Sequence, residues 1–251
     1  MVQLKKGLPS FITSLGLIMG CISVVISVSR GDLNLAGYFI LAAAVLDFLD
    51  GFAARTMNAI SAFGKQLDSL ADVVSFGVAP AMILYRLILL SYVSSSSGSD
   101  YDVMNPTFGQ SVILYSSFLV TVFSALRLAK FNLDPEQVKS FKGLATPANA
   151  IFIAALGFIA ESSHSFPFAN LTFNRYFLLA IVLLSCYLLV SNIRMFSLKF
   201  STYGIRGNFL RYLFLLFAAV LIVVHGLPGL APVIVLYIVL SLVNNWFVKM
   251  Q

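Results

Sequence analysis

The sequence predicts an all-α polytopic membrane helix bundle with about eight transmembrane helices, and three observations carry that prediction. Hydrophobic residues make up 59% of the 251-residue chain and charged residues only 10%, with a mean hydropathy of +0.94. Soluble domains average about 45–50% apolar and about 25% charged, so a water-soluble globular fold is excluded. The apolar residues fall in continuous stretches near the roughly 20 residues that one bilayer crossing needs. None of these stretches alternates as a transmembrane β-strand would. In lipid the backbone must satisfy its own hydrogen bonds, which leaves helices.

The expected spans are residues 11–29, 33–55, 67–93, 112–131, 147–160, 175–196, 209–225 and 230–248. The first follows Lys5 and Lys6 but is long enough to cross and lacks a small-x-small cleavage site, so it reads as a retained helix, not a signal peptide. Before the fourth lies a serine-rich connection, SSSSGSD at 94–100, of flexible-loop composition. The fifth is the shortest. Cys21 and Cys186 sit inside apolar runs without metal-ligand spacing and read as packing residues, with neither disulfide nor metal expected. The whole chain, 1–251, reads as one membrane domain, with a catalytic core at about 8–150 and additional helices at about 175–248. No internal repeat is visible.

Alternating spans sort the connections into two sets, and basic residues divide unevenly between them. One set, with both termini, holds Lys5, Lys6, Arg55, Lys65, Arg127, Lys130, Lys139, Lys142, Arg194, Lys199, Arg206, Arg211 and Lys249. The other holds Arg30 and Arg175, while Arg86 lies within a span. By the positive-inside rule both termini are expected in the cytoplasm. The net charge of +6 then reports topology, and no nucleic-acid partner is expected.

Four of the ten acidic residues lie between Asp47 and Asp72. Asp47 and Asp50 share one helix face at i, i+3; Asp68 and Asp72 share another at i, i+4. A short turn joins the two helices, so the pairs are expected to face each other across one cleft. Each such carboxylate costs about 2.5–3.5 kcal/mol in an apolar helix, and four together repel unless cations neutralise them. Hard oxygen ligands at this density suit Mg²⁺ or Mn²⁺, and two close ions suit phosphoryl transfer. Pairing with neighbouring cations is the plain alternative, but only Arg55 and Lys65 are nearby in sequence. Gly51 and Gly64 would let a ligand or a helix approach the backbone closely. Ala53 and Ala54 keep the surface shallow, and Arg55 offers a fork for phosphate oxygens.

The pattern Asp47-x-x-Asp50-Gly51-x-x-Ala54-Arg55, eight residues, then Gly64-x-x-x-Asp68-x-x-x-Asp72 resembles the signature of the CDP-alcohol phosphotransferase family. That resemblance implies that the four aspartates hold two divalent metals against the pyrophosphate of a CDP-linked lipid, with Asp72 also the base that deprotonates the acceptor alcohol. It implies CDP contacts at Gly51, Ala54, Arg55 and Ser61, with Gly64 keeping the nucleotide pocket open. Three further segments are similar to elements of the CDP-diacylglycerol–serine O-phosphatidyltransferases in that family. Residues 8–13 (LPSFIT) resemble LPNxxT, which adds Pro9, Ser10 and Thr13 to the CDP-lipid contacts, with Ser10 in an Asn position. Residues 124–132 (SALRLAKFN) resemble the RLARFN element, with Lys130 in an Arg position. Residues 141–150 (FKGLATPANA) resemble FxGLPxPAAA, with Ala145 in place of the first proline.

The implied reaction is CDP-diacylglycerol plus L-serine giving phosphatidylserine and CMP, by direct in-line attack of the serine hydroxyl. Serine carries a carboxylate, so Arg127, Lys130 and Lys142 are candidate acceptor contacts, though the same residues also serve as membrane anchors. Glycerol phosphate or inositol phosphate is the alternative acceptor. A divalent-cation transporter is the alternative of another class, but such sites usually lie near the midplane between repeats. The resemblance further implies a homodimer among membrane lipids. The expected location is a prokaryotic inner (cytoplasmic) membrane, the active site facing the cytoplasm. His164 and His225 fall on the opposite side and are expected to be non-catalytic.

Overall fold

In the computed structural model, residues 2–59, 61–95, 106–133, 142–162, 166, 169–195 and 204–249 are described. The basic residues Lys139 and Lys199, His164, and Phe141 of the FxGLPxPAAA-like element lie outside them. The described residues form an all-helical bundle, as the continuous apolar stretches require. Its helices are α1 (Val2–Ser29), α2 (Leu33–Thr56), α3 (Ala62–Val73), α4 (Ala79–Ser95), α5 (Phe108–Tyr115), α6 (Leu119–Leu133), α7 (Thr146–Glu161), α8 (Arg175–Val190), α9 (Ile205–His225) and α10 (Leu230–Lys249).

Six stretches among the described residues are long and apolar enough to cross a membrane: Gly7–Ser29, Leu33–Thr56, Ala62–Ser94, Phe108–Leu133, Asn208–His225 and Leu227–Asn245. Two of the eight expected spans, the fifth and sixth, form shorter apolar helices at Thr146–Glu161 and Arg175–Val190. Large apolar side chains such as Phe11, Val28, Phe48 and Val223 face outward, as lipid-facing surfaces of a membrane bundle do. The core gathers on α2, α4, α7 and α8, around Leu33, Ile40, Ile83, Leu87, Ile153 and Leu178.

Two departures from the expected spans have local causes. The third span is not one uniform helix, because a π-turn at Val74–Val78 joins α3 to α4 immediately after Asp72. There the Ser75 hydroxyl donates to Gly16 O of α1 at 3.1 Å. The approach is so close that a Cβ on Gly20 would lie 2.7 Å from Ser75 Cα. Such π-bulges recur at functional sites. The sixth span stops at Val190, not 196, because the incoming segment before α7 occupies the end of α8. Leu144 N donates to Leu188 O at 2.9 Å and Gly143 N to Ile193 O at 2.8 Å, and Lys142 pairs with Arg194 as a single antiparallel bridge. Gly143 takes φ +75°, and a Cβ there would sit 2.7 Å from Leu189 O. Only glycine meets both conditions.

Candidate active site

The carboxylates of α2 and the first half of the third span come together as their spacing predicts. Asp47, Asp50, Asp68 and Asp72 line one small cleft with Thr13, Gly16 and Ser75. Within it, oxygens of Asp47, Asp50 and Asp68 lie within 4.8 Å of one another. Asp72 stands beside that close cluster and interacts electrostatically with all three carboxylates and with Arg127 of α6. Among the described residues, the charged groups acting on Asp47 and Asp68 are the neighbouring carboxylates of the cluster. An all-carboxylate donor set without thiol or imidazole fits a hard divalent cation. The three clustered aspartates could hold one.

Asp50, buried at 5% exposure, owes its orientation to the first helix. Thr13 Oγ donates to Asp50 Oδ2 at 2.6 Å and is within 3.0 Å of Pro9 O, the carbonyl one turn back. A hydroxyl has a single proton, so the two acceptors compete for it. The short contact to the carboxylate is the charge-assisted one.

A second, open cleft adjoins the first, lined by Pro9, Ser10, Thr13, Asp50, Gly51, Ala54, Ala59, Ser61, Gly64, Lys65 and Asp68. Thr13, Asp50 and Asp68 belong to both. Seven of the eight residues expected around a CDP-lipid therefore meet in one place. Arg55 is the exception: it is exposed, and its Nε donates back to Gly51 O at 2.9 Å. Ala59 and Lys65 are the lining residues the sequence reading missed. Lys65 directly follows the signature glycine Gly64.

The turn between α2 and α3 is built by its own side chains. Asn58 takes φ +50°, while Asn58 N donates to Arg55 O and Ala59 N to Ala54 O, a Schellman-type stop. Ser61 then caps α3, its Oγ accepting from Gly64 N at 3.0 Å. A Cβ on Gly64 would crowd that oxygen at 3.1 Å, whereas a Cβ on Gly51 would meet no atom within 4 Å. Gly51 is thus bare toward the cleft and does not serve helix packing.

The expected acceptor contacts separate. Arg127 is buried and its Nη1 lies 3.5 Å from Thr146 Oγ at the start of α7. Lys130 Nζ donates to Asn192 Oδ1 at 3.2 Å beyond the end of α8. Lys142 stands in the bridge to Arg194. Of the three, Arg127 is the one whose charge reaches Asp72. His225, at the far end of α9, stacks edge-on against Phe166.

The sequence profile described as CDP-alcohol phosphatidyltransferase matches residues 6–243. The chain belongs to that family. It is an integral membrane protein. The chain is 31% identical to a CDP-diacylglycerol–serine O-phosphatidyltransferase of Helicobacter pylori, over 97% of this chain and 92% of the relative. It is 32% identical to the enzyme of that name from Bacillus subtilis, over 60% of this chain and 75% of the relative. It is also 35% identical to an archaetidylserine synthase of Methanothermobacter thermautotrophicus, over 63% of this chain and 62% of the relative.

Proposed function

We propose that this protein transfers the phosphatidyl group of CDP-diacylglycerol to the hydroxyl of L-serine, releasing phosphatidylserine and CMP. The observation that carries the proposal is the junction of the two clefts at Thr13, Asp50 and Asp68. It sets an open cleft directly against a carboxylate cluster suited to a divalent cation. The full-length likeness to a serine O-phosphatidyltransferase supports serine as the acceptor.

In this reading Pro9, Ser10, Gly51, Ala54, Ser61 and Gly64 line the space for the CDP head, and Lys65 adds a cation for its phosphates. The exposed Arg55 swings from Gly51 O onto the same phosphates. Asp47, Asp50 and Asp68, with Asp72 beside them, hold two Mg²⁺ or Mn²⁺ ions. When bound, these ions neutralise charge on the pyrophosphate and its leaving group. Asp72 accepts the serine hydroxyl proton as the oxygen forms its bond to the lipid-bearing phosphorus. The bond from that phosphorus to the bridging oxygen breaks, and CMP departs with the electron pair. Arg127 faces Asp72 and takes the serine carboxylate, with Lys130 and Lys142 at the rim.

The catalytic core is residues 8–150, with the helices from 175 to 248 packed around it. The asymmetry of basic residues supports a prokaryotic inner membrane with both termini and the site on the cytoplasmic side, where soluble serine meets a membrane-bound CDP-lipid. The enzyme works as a homodimer. The decisive experiment measures CMP release from CDP-diacylglycerol with serine, glycerol 3-phosphate or inositol phosphate, for the wild type and Asp72→Asn. Serine alone should support turnover, and Asp72→Asn should lose at least about 100-fold of it while still binding CDP-lipid. Product with another alcohol and none with serine refutes the acceptor; full turnover by Asp72→Asn refutes the base.

A further inference from the structure

On α6 and α7, three buried polar atoms have no hydrogen-bond partner in the protein: Arg127 Nε, Ser124 Oγ and Asn149 Nδ2. Their side chains are 9%, 0% and 1% exposed respectively. A buried donor left unpaired costs about 1–3 kcal/mol, so three on two facing helices call for a common partner.

Their placement is ordered. Ser124 and Arg127 lie one turn apart on α6, and Thr146 and Asn149 one turn apart on α7. The contact from Arg127 to Thr146 sets the level of one pair. Successive spans run in opposite directions, so Ser124 and Asn149 both step from that contact toward the same side. Ser124 also packs on the π-turn that follows Asp72, its Cβ lying 3.4 Å from where a Gly77 side chain would begin. Arg127 completes the connection through its electrostatic interaction with Asp72. The unpaired set comprises a guanidinium N–H, an amide N–H₂ and a hydroxyl, a group rich in donors. Its complement is an anion with oxygen acceptors, small enough to fit between two helices.

We infer that Arg127, Asn149 and Ser124 form a subsite for the carboxylate of the acceptor alcohol, with Asn149 a specificity-determining residue. The inference deepens the proposed serine transfer and rests on it. Arg127 supplies the charge. The Asn149 amide donates to a carboxylate oxygen from the opposite helix, and the Ser124 hydroxyl donates to the same group or accepts from the neighbouring ammonium. Held this way, the acceptor hydroxyl is delivered to Asp72. An acceptor without the carboxylate leaves all three atoms unpaired, and is rejected for that reason.

The test uses the full-length protein in membranes, with steady-state CMP release read against serine and against serinol, which lacks the carboxylate. In Asn149→Ala, serine KM should rise about 10-fold or more, the effect of one hydrogen bond to a charged group. The KM for CDP-diacylglycerol should stay within about twofold, and the preference for serine over serinol should shrink. Asn149→Asp, which sets a carboxylate against a carboxylate, should raise serine KM further. Folding is checked by thermal unfolding, and Ser124→Ala gives a second, smaller removal of one group. A serine KM within about twofold of wild type in both alanine variants, or equal losses with serine and serinol, overturns the subsite; the three atoms then bind structural water. If the wild type uses glycerol 3-phosphate and not serine, the acceptor assignment alone has failed. A raised KM for that anion in Asn149→Ala would still support the subsite, and an unchanged one would overturn it.

Discussion

Replacing Thr13 by valine removes one hydroxyl and keeps the side-chain shape, and the structure states what that hydroxyl does. It donates to Asp50 Oδ2 at 2.6 Å from a side chain only 6% exposed, onto a carboxylate only 5% exposed. A hydrogen bond to a charged group is worth about 1.5–3 kcal/mol. In its absence Asp50 loses the contact that fixes its orientation toward Asp47 and Asp68. Groups that orient a metal ligand from behind typically control about 10–100-fold in metal affinity or activity. Thr13→Val should therefore raise the Mg²⁺ or Mn²⁺ concentration for half-maximal CMP release by about 10-fold or more. At saturating metal, much of the turnover should return. Thr13→Ser, which restores the hydroxyl, should restore most of the metal affinity. The assay is a metal titration of CMP release at fixed CDP-diacylglycerol and serine. If Thr13→Val titrates like the wild type, or Thr13→Ser behaves like valine, the orienting role of Thr13 is refuted.

Two further substitutions separate packing from ligand contact. Gly51→Ala should preserve or raise thermal stability by about 0.5–1 kcal/mol, since alanine is the better helix former and its Cβ meets no protein atom. It should also raise the KM for CDP-diacylglycerol; an unchanged KM would show that the lipid head does not lie on Gly51. Gly143→Ala should destabilise the protein by on the order of 2 kcal/mol, because the left-handed backbone alone disfavours a side chain by about 1–2 kcal/mol. The added Cβ would in addition press on Leu189 O, so thermal unfolding in detergent should move clearly downward. A midpoint matching wild type would mean that the segment before α7 does not dock on α8 as described.

The sequence by itself determined the membrane class, the asymmetric placement of basic residues and the aspartate pairs. Each of these is local. Hydropathy is a running property of the chain, and the i, i+3 and i, i+4 spacings put two carboxylates on one helix face whatever surrounds them. Joining α2 to α3 by a short turn then left little freedom in how the pairs could meet. Gly51, Ala54 and Gly64 lie on those same two helices, and the family resemblance adds Ser61 at the turn between them.

Tertiary structure decided what depends on how helices lean on one another. Thr13 bonds to Asp50, 37 positions away. No periodicity within α1 distinguishes that hydroxyl from the ones that bond their own helix, as Ser14 does to Ser10 O. The sequence points to Arg55 and not Lys65 as the phosphate contact, yet Lys65 lines the cleft and Arg55 turns back along its own helix. Of the three candidate acceptor cations, Arg127 is the one nearest the membrane in the sequence, and packing buries it where its charge reaches Asp72 while Lys130 bonds to Asn192. The break at Val74 and the early end of α8 have the same origin. Each occurs where another segment's backbone comes within hydrogen-bonding distance, Gly16 in one case and Leu144 in the other. Spacing along a chain specifies which side chains share a face. Only the approach of a second helix specifies what that face touches.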